Sequence, residues 1–220
     1  GWIDSIYKGW AMFAGSVMPG QGDFWLPPAQ HGKAATDYYK YDPVRARALL
    51  ADAGFPNGFE IDLNTTPAYP PPFGSNFELV AQSLQDIGIK VNIKTKEYGA
   101  FITTTYRGKY EGAGYFYPFG DATEPDEFLM TMLHSEGVKN QSQVKDTVLD
   151  AMLEAQSQEI DLAKRIEIVH DIQRYMGEQI YMIFAPKPVD IAGIQPWIKN
   201  WSSKQGYDWG GPASVAWIVK

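Results

Sequence analysis

The chain has no cysteine among its 220 residues. That absence excludes disulfides, thiolate metal sites and cysteine nucleophiles, and it fits an exported protein that folds without bridges as well as a cytosolic one. Histidine is nearly as scarce, and no two of His31, His134 and His170 fall at helical spacing. His170 and Asp171 are neighbours on a helix and so point apart. No metal site and no cofactor are expected, and the histidines read as surface or capping residues. No apolar run approaches the ~20 residues that span a bilayer. The opening GWIDSIYKGW lacks a basic region followed by an apolar block, so it does not read as a signal peptide. It also lacks an initiator methionine and reads as a helix in progress, so the chain is expected to be a processed or engineered piece of something longer. Neither a Gly-x-Ser-x-Gly elbow nor a glycine-rich phosphate cradle occurs. Positive charge is in deficit, with 19 Lys and Arg against 26 Asp and Glu and a net charge of −7. With no basic stripe, nucleic acid and anionic membranes are poor partners.

What is present is apolar and aromatic. A hydrophobic fraction of 45% supports a sizeable core and argues against global disorder. Seven Trp and thirteen Tyr against three His point to binding surfaces more than to acid–base machinery.

Along the chain, residues 2–9 read as helix and 17–38 as a long Gly- and Pro-rich crossing loop. Asp42-Pro43 starts a helix that stops at Gly54, because Asp caps free N–H groups and Pro suits the first helical position. Residues 59–63 alternate as a half-buried strand. The Pro-rich turn TPAYPPPFG then leads to a helix over 76–87, with Phe77, Val80, Ala81 and Leu84 on one stripe. A strand over 89–97, a helix over 98–108 and a strand over 111–117 follow. Helix and strand thus alternate three times, which implies parallel crossovers and an α/β sheet. Helices are expected at 125–133, 144–157 and 161–178, a strand at 180–184, and an irregular Trp-rich tail from Pro186.

The stretch GYFYPFGDATEPDEFL, residues 114–129, concentrates the candidate chemistry. Asp121 follows a strand and precedes a helix, the place where ligands bind in open α/β sheets. A carboxylate walled by rings suits a cationic group such as an amine. Asp121 could equally cap the helix near Pro125 or close an Asx turn, and from the residues alone both readings stay open. A glycoside-cleaving enzyme using Asp121 and Glu124 is the alternative from another class, although Glu124, Asp126 and Glu127 sit where a first helical turn attracts acids.

Several stretches together resemble one family. YDPVRARALLADAGFPNGFEIDL, LVAQSLQDIGIKVNIKTKEYGAF, GDATEPDEFL and DLAKRIEIVHDIQRYMGEQIYMIFAP are similar, in order and spacing, to blocks of the family 5 extracellular solute-binding proteins of ABC importers. The resemblance implies a type II periplasmic-binding-protein-like α/β lobe, a mixed sheet flanked by helices, that does no chemistry. It implies that residues 35–185 form the C-terminal lobe. Residues 1–34 would cross from a missing N-terminal lobe, and 186–220 would return toward it. It implies periplasmic or extracellular residence, with membrane association through the transporter or a lipid anchor. The partners would be a small peptide or sugar-like solute, an ABC permease and that missing lobe. In the peptide-binding members the carboxylate at the Asp121 position takes the ligand's amine. The expected ligand contacts are Asp121, Phe119, Tyr117 and Pro118, with Tyr69 and Phe73 of the Pro-rich turn. Two departures stand out. Pro118 occupies the position of a family Trp, and Gly74, Ser75 and Asn76 stand where the dipeptide binder places an Arg for the ligand carboxylate. A longer peptide or a carbohydrate is therefore as compatible with these positions as a dipeptide.

Overall fold

The computed structural model describes residues 1–69, 71–116, 124–189, 193–201 and 216–219. Helix α1 (Trp2–Tyr7) and strand β1 (Ala11–Met12) open the chain. The stretch expected as a plain loop contains two tight 3-10 turns, Pro19–Phe24 and Pro28–Gln30, and helix α2 (Lys33–Tyr38). Then come α3 (Pro43–Asp52), β2 (Glu60–Thr65), α4 (Phe73–Asp86), β3 (Lys90–Thr95), α5 (Tyr98–Thr103) and β4 (Ala113–Gly114). The helical part follows as α6 (Asp126–Phe128), which widens into a π-type turn over Leu129–Leu133, then α7 (Thr147–Gln158) and α8 (Leu162–Gln179). Short strands β5 (Lys187–Pro188), β6 (Ile198–Lys199) and β7 (Trp217–Ile218) close the described chain.

Helix starts follow local chemistry. Asp42 accepts the Arg45 N–H at 2.9 Å with Pro43 in the first position. Asp146 caps α7 through Val148 and Leu149, and Asp161 caps α8 through Ala163 and Lys164. Each carboxylate satisfies N–H groups that the helix cannot. Gly58 and Gly88 show why glycine punctuates the strands. Gly58 has φ +71°, and a Cβ there would lie 1.8 Å from the Gly88 carbonyl oxygen. The turns before β2 and β3 are packed backbone on backbone.

The main sheet is parallel, in the order β3-β2-β4. Six residue pairs join β2 to β3, from Glu60–Lys90 to Thr65–Thr95, and Leu63–Ala113 and Asn64–Gly114 join β2 to β4. The connection through α4 runs to one side of β2, and the connection through α5 runs back past it. Right-handed crossovers of opposite direction place helices on opposite faces. The side chains agree: Leu63, Phe77 and Ala81 form a core with Val91, Ala113 and Tyr115 on the α4 face. Antiparallel pairing occurs in separate ribbons, β1 with β5 and β6 with β7.

A second core lies among the later helices. Val17, Leu129, Leu133, Leu149, Leu153, Val169, Ile172 and Met176 are its buried members. Two sequence expectations change here. No strand forms at 180–184: Ile180 takes a left-handed conformation (φ 52°) that ends α8, and Tyr181 and Met182 pack on the helical core instead. Helix α3 buries no residue, and Leu49 lies at the surface. His31 is buried at 3% exposure rather than superficial, with its Nε2 donating to the Leu26 carbonyl at 2.8 Å.

Candidate functional site

The carboxyl ends of β2, β3 and β4 carry an interlocked set of rings. Tyr69, in the turn after β2, lies 4.8 Å from Phe73 at the start of α4. The same ring meets Tyr98 and Phe101 of α5 edge-on, at 5.8 and 6.2 Å. Tyr69 therefore bridges the helices on both faces of the sheet. Beyond β4 the chain alternates as a strand should. Tyr115 packs on Phe73 at 4.8 Å and Phe77 at 5.7 Å, while Phe116 turns to Phe101, Tyr106 and Tyr110 at 5.8–6.0 Å. Offset and edge-on pairs at these distances are the favoured aromatic geometries.

Of the expected contacts, the structure brings Tyr69 and Phe73 together at this edge. Phe73 is 5% exposed and supports the Tyr69 and Tyr115 rings from beneath, whereas Tyr69 is half-buried. Tyr117, Pro118, Phe119 and Asp121 lie outside the described residues. The sequence pointed to neither Tyr98, whose ring is 47% exposed at the start of α5, nor Thr65 at the end of the central strand. The Thr65 hydroxyl is buried with no hydrogen-bond partner. Thr65 ends one parallel strand and Tyr98 opens the helix after another, and those positions were the signal available for them.

Polar groups near the wall are largely engaged. Asn76, 4% exposed in the first turn of α4, accepts from Trp2 Nε1 and donates through Nδ2 to the Tyr7 hydroxyl, each at 2.5 Å. The site's floor thus includes α1, and the Asn76 amide is committed to the fold. Burial pushes the Tyr115 phenol well above its usual pKa, and the Tyr7 phenol adds to the rise. Lys96, where β3 gives way to α5, donates to the Thr105 hydroxyl at 2.9 Å and the Thr104 hydroxyl at 3.3 Å.

Glu124 lacks the setting of a glycosidase's general acid. Although partial burial raises the Glu124 pKa, hydrogen bonds from Arg165 and from the Asp126 N–H leave it below the usual value. A general acid needs the opposite shift. Among the described residues no group of three or more His, Asp or Glu could hold a metal ion, and no helix is long and apolar enough to cross a membrane. His134 Nε2 lies 3.3 Å from Glu154, and His170 Nε2 donates to the Asp23 carbonyl.

Comparison with known proteins gives one consistent answer. Residues 1–140 match the profile of the bacterial extracellular solute-binding proteins, family 5 middle region. The chain is 29% identical to heme-binding protein A of Haemophilus influenzae, over 94% of this chain and 37% of that protein. It is 31% identical to the dipeptide-binding protein of Pseudomonas aeruginosa, over 90% of this chain and 38% of that protein. Among solved structures it is similar to the periplasmic binding protein DppA from Helicobacter pylori in complex with the peptide STSA. That match has a TM-score of 0.70 and 25% identity, covering 85% of this chain and 35% of that one. HbpA2 from Haemophilus parasuis matches at TM-score 0.76 and 21% identity, over 90% and 39% respectively. The fold is that of type II periplasmic binding proteins, and the chain spans a little over a third of the length of the curated relatives it matches.

Proposed function

The chain belongs to the bacterial extracellular solute-binding proteins of family 5, and on that premise we propose that it forms the C-terminal ligand-binding lobe of a protein that captures a small solute for an ABC importer. A peptide is the solute best supported, since the curated relatives include several dipeptide- and di/tripeptide-binding proteins. Residues 35–185 constitute the lobe, and 1–34 and 186–220 run to and from a second lobe. The complete protein resides in the periplasm or outside the cell, held near the membrane by its permease or a lipid anchor.

The observation that carries this proposal is the aromatic wall at the carboxyl edge of a parallel sheet, where ligands of open α/β folds bind. Tyr69 and Tyr98 present ring surface there, and Asp121, with Tyr117, Pro118 and Phe119 beside it, supplies the anchor for the solute's amine. Ligand buried between two lobes stabilises the closed arrangement by its contacts with both. The protein performs no reaction on the solute.

A thermal-shift screen of the two-lobed protein tests this, with Met-Leu, Ser-Thr-Ser-Ala, mannohexaose, haem and nickel as probes and Asp121→Ala in parallel. A ligand at about 100 times its Kd stabilises the native state by about 2.7 kcal/mol, enough to move the melt by several degrees. Peptides are expected to shift the wild type and not the variant. A shift by mannohexaose alone refutes the peptide assignment.

A further inference from the structure

Six asparagines are spread along the chain, and only Asn57 is followed by glycine. The others precede Thr65, Phe77, Ile93, Gln141 and Trp201, whose side chains crowd the peptide nitrogen that follows the amide. The side-chain amides of Asn64, Asn76, Asn92 and Asn140 are also held in hydrogen bonds. Asn57 differs on both counts. It is exposed, its side chain makes no hydrogen bond among the described residues, and the next residue has no Cβ to obstruct its nitrogen.

The turn that carries it is Phe55-Pro56-Asn57-Gly58, closed by the Gly58 N–H donating to the Phe55 carbonyl at 3.0 Å. Proline second and glycine fourth suit a tight turn of this kind. Phe55, Pro56 and Asn57 all face solvent, so the one closing hydrogen bond is a bond that water can replace. When it opens, the Gly58 nitrogen can reach the Asn57 side chain. That nitrogen attacks Cγ: a C–N bond forms, the bond from Cγ to Nδ2 breaks, and the Gly58 amide proton leaves with Nδ2 as ammonia. A five-membered imide remains. Water adds to either of its two carbonyls and opens it, giving aspartate or isoaspartate. No oxidant or reductant is needed.

The isoaspartate product matters because its main chain runs through Cβ and Cγ and is longer by one carbon. Gly58 has no room to take up that carbon. A Cβ on it would already lie 1.8 Å from the Gly88 carbonyl oxygen and 2.5 Å from the Gly88 carbonyl carbon. Immediately beyond, the Lys90 N–H donates to the Phe59 carbonyl at 2.8 Å, and the pairing of β2 with β3 begins at Glu60 and Lys90. An added main-chain atom either forces Gly58 away from Gly88 or pulls on the strand register, and one face of β2 is buried, so register is strongly specified there. We propose that Asn57 is a modification site, deamidating through a cyclic imide with the Gly58 nitrogen, and that the isoaspartate product unlocks the packed Gly58 and Gly88 turns at which β2 and β3 begin. The chemistry belongs to the turn itself and does not depend on which solute the protein carries.

The experiment ages the purified protein in mildly alkaline buffer, which favours the deprotonated nitrogen, with Asn57→Gln beside it. Peptide mapping by mass spectrometry follows conversion of amide to acid at each asparagine. An isoaspartate-specific methyltransferase reports the longer-chain product, and each sample is melted before and after ageing. Conversion at Asn57 is expected to run at least about tenfold faster than at any other asparagine, with isoaspartate the larger product. The aged wild type should gain a lower-melting fraction that Asn57→Gln lacks. Freshly prepared Asn57→Asp, which carries the new charge without the extra carbon, should melt like unaged wild type. Conversion at Asn57 no faster than at the other asparagines overturns the proposal, because the turn then keeps the Gly58 nitrogen from its target. An isoaspartate-bearing sample that melts like Asn57→Gln refutes the unlocking, and so does an Asn57→Asp protein that melts as low as the aged fraction, since charge alone would then account for the loss.

Discussion

Replacing Asp146 with Ala removes four contacts at once. Its carboxylate caps α7 through the Val148 and Leu149 N–H groups at 2.8 and 3.3 Å, and accepts the hydroxyls of Tyr175 and Tyr181 at 2.7 and 2.6 Å. Loss of an N-cap costs about 1 kcal/mol. The two phenols are half-buried and regain water, so each lost bond costs about 0.5 kcal/mol, the low end for an ordinary hydrogen bond. The expected destabilisation is about 2 kcal/mol, or a fall in melting temperature of about 4–8 °C for a chain of this size. Asp146→Asn keeps a capping oxygen as effective as the original and is expected to cost about half as much. The assay is urea denaturation at pH 7, followed by circular dichroism. The pH dependence adds a second readout. The tyrosine hydrogen bonds hold the Asp146 pKa down at about 2. A carboxylate depressed in the folded state stabilises it above the unfolded pKa of about 3.9, and that stabilisation disappears as the pH falls toward 2. The wild type should lose stability across that window more steeply than Asp146→Asn. An Asp146→Ala protein within 0.5 kcal/mol of wild type would falsify the assignment of α7's anchorage to this residue.

Gly58→Ala should be severely destabilising, by about 3 kcal/mol or more, because it combines positive φ with a Cβ 1.8 Å from a backbone oxygen that cannot rotate away; a denaturation midpoint like that of wild type rules out the packed turn. His31 should make stability fall as the pH drops below about 6.5. Burial depresses its pKa, with the Leu26 hydrogen bond opposing and the nearby Arg174 and His170 charges reinforcing. The unfolded chain therefore takes up the proton first and stability rises with pH through that window. His31→Gln should flatten the slope between pH 5 and 7, and an unchanged slope assigns it to another group.

The elements legible in the sequence are those whose cause is local. Asp42-Pro43 and Asp161 start helices through contacts two or three residues away, and the alternation over residues 59–63 and 89–97 marked β2 and β3. What escaped depends on partners far along the chain. Asn76 looked like an open position at a helix start until Trp2 and Tyr7, 74 and 69 residues away, were seen to occupy its amide. Glu124 read as an ordinary first-turn acid because Arg165 is 41 residues distant. The strand expected at 180–184 failed for the same reason: Tyr181 is drawn to Asp146, 35 residues back. Periodicity reports which side chains are apolar, not which surface they meet.

The same distinction explains where the site lies. A right-handed crossover to each side of β2 leaves α4 and α5 beginning on opposite faces of one sheet edge, and a residue in the turn after β2 is placed between them. Tyr69 is that residue, touching Phe73 on one side and Tyr98 and Phe101 on the other. Its ring therefore ties the two helix starts together, and Phe73 and Phe101, both buried, keep it from turning away. A wall built this way is rigid before any solute arrives, so its rings lose little freedom on binding. On the proposed function, discrimination among solutes then falls to groups other than the wall and not to rearrangement of the wall itself.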